Sequence, residues 1–81
     1  MKTLSIGEQV ENTQKRIATL EKQVSQAREF MQHNMNMIPV DVWQVMVRGI
    51  KQTESEIKHL QRMIANVQAA VNMEYRKAYI L

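Results

Sequence analysis

The side chains able to do acid–base, nucleophilic or metal chemistry are scattered in this sequence. The carboxylates Glu8, Glu11, Glu21, Glu29, Glu54, Glu56 and Glu74 are separated by neutral and basic residues. His33 and His59 stand far apart, with no pair at i, i+4 to grip a metal from one helical face. There is no cysteine, so neither a thiolate zinc site nor a disulfide framework is open to the chain. A glycine-rich phosphate loop and a nucleophile flanked by glycines are also missing. These residues predict no enzyme, no cofactor, no metal and no small-molecule substrate.

Three other groups are better candidates for function. The first is an apolar cluster in the middle of the chain. Phe30, Met35, Met37, Ile38, Val42, Trp43 and Val47 fall within a short stretch that also holds Met31, Val40, Val45 and Met46. Methionine is flexible and polarizable and suits adaptable binding surfaces, while tryptophan is a frequent interface anchor. The cluster is expected to grip a partner protein, unless it is consumed as core. The second group is the C-terminal run with Tyr75, Arg76, Tyr79 and Leu81, where wide rings with polar ends lie beside a cation. The third is a basic face of the second half, Lys51, Lys58 and Arg62, where the stretch from Ile57 to Met73 holds no acid. Such a face on a dimeric hairpin can bind RNA or DNA. Against it, Lys15, Arg16, Lys22 and Arg28 are interleaved with Glu11, Glu21 and Glu29, the usual pattern of a solvated surface.

The elements that position these groups follow from the periodicity. Val10, Ile17, Val24 and Met31 recur every seven residues, with Ile6, Thr13, Leu20 and Ala27 offset by the heptad's a-to-d step. A second run places Trp43, Ile50, Ile57, Ile64, Val71 and Ala78 at a, and Met46, Thr53, Leu60 and Val67 at d. A repeat of about 3.5 residues keeps one apolar stripe turned toward a partner helix. Glu11 with Lys15, and Glu54 with Lys58, stand in the favourable i, i+4 order. With only 2 glycines and 1 proline in 81 residues, there are few places to turn. The proline is Pro39, which disfavours helical geometry at Ile38.

Capping signals mark the ends. Ser5 with Glu8 has capping-box spacing, and Asp41 with Gln44 repeats it, with Val40 and Val45 placed as a hydrophobic staple. The expected fold is all-α: a single antiparallel two-helix hairpin, a coiled coil over 1–81. Helix one should span about 6–35, the turn about 34–41 and helix two about 42–78. The register sets Ile6 near Val71, Val10 near Val67, Ile17 near Leu60 and Ala27 near Ile50. Thr13 and Thr53 weaken their layers; they are expected to be tolerated small polar residues at the seam, with a role in fixing alignment as the alternative.

Two helices do not seal a core. Burial of a Leu or Ile contributes roughly 1.5–3 kcal/mol, against an ordering cost of about 1–2 kcal/mol per residue. The chain is therefore expected to need a partner, another protein or a second copy, the latter forming a four-helix bundle. The net charge of +3 is a mild excess, and no stretch approaches the apolar length of a membrane span. No signal peptide is legible at the start, and the lack of cysteine suits the reducing cytoplasm, so a cytoplasmic, membrane-free protein is expected. The function read from all this is a non-enzymatic protein-binding module, a small chaperone, adaptor or inhibitor. The alternatives are a nucleic-acid-binding dimer and a structural coiled-coil subunit of a larger assembly.

Overall fold

The computed structural model describes residues 5–79, with side chains through Glu74. The described chain is all-helical, two helices packed as a hairpin: α1 (Ile6–His33) and α2 (Val40–Tyr79). α2 has 40 residues, and at about 1.5 Å per residue it sets the long dimension of a body of 64 × 29 × 18 Å. The radius of gyration is 18.7 Å, against about 12 Å for a compact chain of this length. The molecule is a rod.

α1 begins where the sequence places it. Ser5 is extended (φ −64°, ψ 161°), and its hydroxyl accepts the Glu8 backbone N–H at 3.2 Å, satisfying one donor of the first turn. Its C-terminal end comes earlier than the expected 35. Asn34 is the C-cap: its backbone N–H makes the last helical bond to the Phe30 carbonyl (3.1 Å), its side-chain amide donates to the same oxygen (2.8 Å), and its own backbone leaves the helix (φ −120°, ψ 21°). The chain then tightens, with the N–H groups of Met37 and Ile38 both donating to the Asn34 carbonyl.

α2 starts at Val40, earlier than the expected 42. The Pro39 carbonyl accepts the Trp43 N–H at 2.9 Å, so proline occupies the capping position. Its ring already holds helical φ and its missing N–H would have had no partner there. The capping box expected from Asp41 and Gln44 is therefore displaced: Asp41 lies inside the first turn, where its charge still complements the helix dipole. The Val40–Val45 staple does not form as expected, because Val40 is inside the helix and both side chains are more than half exposed.

The seam has the anticipated register. Ile17, Leu20, Val24 and Ile57 form the buried cluster, with Ile50, Leu60 and Ile64 packed against it. Ile6, Val10, Val67 and Val71 line one groove toward the open end, and Ala27 and Ile50 line another nearer the turn. Two ion pairs cross the seam, Arg16–Glu56 at 3.3 Å and Arg28–Glu54 at 2.9 Å. All four side chains are substantially exposed, so each pair contributes about 0.2–1 kcal/mol at most. They serve alignment more than stability. Glu54 is thereby engaged across the seam, not with Lys58 as its spacing suggested, while Glu11–Lys15 closes along α1 at 3.5 Å.

Thr13 and Thr53 need no partner across the seam. Each hydroxyl donates to a carbonyl one turn back, Thr13 to Gln9 at 2.8 Å and Thr53 to Gly49 at 2.9 Å. Both half-buried hydroxyls are thus satisfied within their own helices, and they carry no alignment by hydrogen bonding.

Candidate interaction surfaces

Only five side chains are buried among the described residues: Ile17, Leu20, Val24, Met31 and Ile57. None of them is polar or charged. Burial fades along the rod, from Leu20 at 4% exposure to Val67 at 36% and Ile6 at 57%. A larger set of apolar side chains faces outward, and its distribution defines the surfaces available for contact.

In an antiparallel pair the two e positions flank one side of the seam and the two g positions the other. Arg28–Glu54 is an e–e pair and Arg16–Glu56 a g–g pair, so the ion pairs mark opposite flanks. The e flank is polar over most of its length, with Gln14, Glu21, Arg28, Glu54, Gln61 and Gln68. A wide shallow groove there is lined by Glu21, Arg28, His33, Glu54, Lys58 and Gln61 among others. The g flank carries Phe30 on α1 and Val42, Gly49, Met63 and Ala70 on α2, interrupted by Gln9, Gln23 and the Arg16–Glu56 pair.

The structure divides the sequence-derived tip residues between these flanks. Trp43 and Val47 line a groove of about 250 Å³ on the e flank, with Met31, Gln32, Ile50 and Lys51. Phe30 and Val42 belong to the other flank, because each lies at a g position while Val47 lies at e. Met35 and Met37 lie in the turn itself, and Met37 is 82% exposed. Ile38 is half-buried. The cluster is thus one apolar cap with two sides. It is not a single patch.

Lys51, Lys58 and Arg62 lie together on the outer face of α2. The spacing adds Arg48, which belongs to the same face and was not singled out in the sequence. None of these four is in an ion pair among the described residues. Of the C-terminal candidates, Tyr75, Arg76 and Tyr79 belong to the backbone of α2, and their side chains lie outside the described residues. Leu81 lies wholly outside them.

Sequence reasoning also passed over Gly49 and Met63. Glycine inside a helix costs about 0.5–1 kcal/mol relative to alanine. Gly49 has no positive φ to explain it, and a Cβ built there would meet nothing within 4 Å. The available signal was its place in the seven-residue line Val42, Gly49, Glu56, Met63, Ala70.

No described group of histidine and carboxylate side chains is arranged to hold a metal, and no described helix is long and apolar enough to cross a membrane. Compared with family models, with curated proteins and with solved structures, the chain matches none.

Proposed function

We propose that this chain is a non-enzymatic protein-binding module, a helical hairpin that pairs into a four-helix bundle and holds a partner protein at its apolar tip. One observation carries the reading: five buried side chains against a tip where Phe30, Met35, Met37, Val40 and Val45 are each more than half exposed. Exposed large apolar side chains lie toward both ends of the rod, but those more than half exposed gather at the tip, with only Ile6 and Met73 besides them among the described residues. Such a patch marks a contact site. The groove lined by Trp43, Val47 and Met31 would take apolar side chains of a partner helix, and Arg28, Lys51 and Glu54, which also line it, would orient that helix.

Trp43 is the only tryptophan, so the site reports on itself. Titration with a leucine-rich amphipathic helical peptide is expected to give a saturable blue shift of Trp43 emission. Met37→Asp should abolish the shift while leaving helicity unchanged, since that side chain touches no core. An emission spectrum indifferent to the peptide, or a Met37→Asp variant that binds as well, would remove the tip from consideration.

A second reading rests on a different observation, the cations Arg48, Lys51, Lys58 and Arg62 on one outer face, none of them in an ion pair among the described residues. They would track a phosphate backbone. A duplex oligonucleotide should then bind with an affinity that falls steeply with salt and is lost in Lys58→Glu and Arg62→Glu. Salt-insensitive or absent binding decides against it.

A further inference from the structure

We infer that two hairpins pair antiparallel through the g flank of α2, about a two-fold axis beside Glu56, with Met63 of each copy seated over Gly49 of the other. The inference rests on the dimer reading above and adds its face, orientation and central contact.

The line Val42, Gly49, Glu56, Met63, Ala70 runs along α2 with a fixed seven-residue spacing, and every member is exposed. Its side-chain sizes are complementary under reversal about Glu56. Gly49 and Met63 are equidistant from that centre, one without a side chain and one long and flexible. Val42 and Ala70 form the next pair outward, again larger against smaller. An antiparallel second copy therefore sets Met63 against Gly49 twice and Val42 against Ala70 twice. A parallel copy would stack Met63 on Met63 and leave Gly49 facing Gly49, one layer overfull and the other empty.

The surroundings of Gly49 and Met63 fit the antiparallel arrangement. Gly49 lies in an open groove of about 270 Å³ with Val24, Ala27, Met46 and Ile50, where an arriving thioether meets apolar walls. Met63, 47% exposed, rises beside a second groove of about 290 Å³ near the open end, lined by Val10, Ile64, Val67 and Ala70. Reversal brings the tip-side groove of one copy over the open-end groove of the other. At the axis each copy contributes Glu56 and Arg16, already paired at 3.3 Å and both half-exposed. Two acids and two guanidiniums make a neutral centre in which each carboxylate has a second donor within the partner's reach. Burial by the second copy also falls where the seam is weakest, over Val67 and Val71.

The first test is mass by light scattering over a dilution series, on the full chain and on Gly49→Gln and Met63→Glu. The hairpin has open space at Gly49, and glutamine is a better helix former than glycine, so the first variant folds. Both variants should raise the dimer dissociation constant by roughly a hundredfold or more, as loss of a central, repeated contact does. Orientation is read by disulfide trapping, which the cysteine-free chain allows cleanly. Gly49→Cys mixed with Met63→Cys should cross-link, and neither variant should cross-link with itself. Self-cross-linking would establish a parallel pair and overturn the arrangement. A dimer that both variants leave intact would place the interface on another face, with the dimer itself retained. A wild-type chain that stays monomeric at every concentration would remove the dimer reading altogether, while the Trp43 titration would still judge the tip.

Discussion

Replacing Leu20 by alanine is expected to destabilise the hairpin by about 2–5 kcal/mol, the range for emptying a well-packed leucine site. Leu20 is the most enclosed side chain among the described residues, and it sits within the cluster of Ile17, Val24 and Ile57. Two helices have little means of collapsing around the space left behind, because no third element can move in. The loss is a large share of the total stability of so small a structure, so much of the population should unfold at ordinary temperature. Urea denaturation followed by far-ultraviolet circular dichroism, at one fixed protein concentration, measures it. Ala18, exposed on the far side of α1, supplies the control: Ala18→Gln should leave the midpoint almost unmoved. A Leu20→Ala chain as stable as wild type would mean that the seam does not hold the helices together.

The second large effect concerns the continuity of α2. Ser55 is exposed on the outer face, in the middle of a helix that runs unbroken from Val40 to Tyr79. Ser55→Pro removes a backbone donor and drives the ring into the carbonyl of Lys51, at a cost of about 3 kcal/mol or more. Ser55→Ala changes the same side chain without touching the backbone, and should be neutral or slightly stabilising because alanine is the better helix former. The pair isolates the helix from the packing. Proline is expected to lower helicity and melting temperature together, since the break falls between Ile50 on the tip side and Ile57 on the other. Equal melting of the two variants would mean that α2 tolerates a joint at its centre.

Much of this architecture was legible in the residues because both helices carry the same repeat. The seven-residue spacing of Ile17 with Val24, and of Ile50 with Ile57, left one apolar stripe per helix and one way to match them. Ser5 was readable as a cap because its side chain does the capping. The start of α2 was not, because two signals competed: Asp41 has the side chain of a cap, but Pro39 already imposes helical φ on the chain before it. The site was harder to read. Phe30, Val42, Trp43 and Val47 are close in sequence, and their separation into two flanks depends on which side of the seam each faces. Gly49 was invisible for a related reason: a glycine in a helix reads as a local cost until a face is known for it to open.

The shape of the rod has a consequence for reach. A globular protein of this mass would be about 30 Å across, and it would meet any recess with a broad front. This chain spends its length in one direction, 64 Å, and is 29 × 18 Å in section. Its thin dimension, 18 Å, lets a single hairpin carry Met37 and Trp43 into a flat cleft that would exclude a sphere of equal mass, and an antiparallel pair would present one such tip at each end.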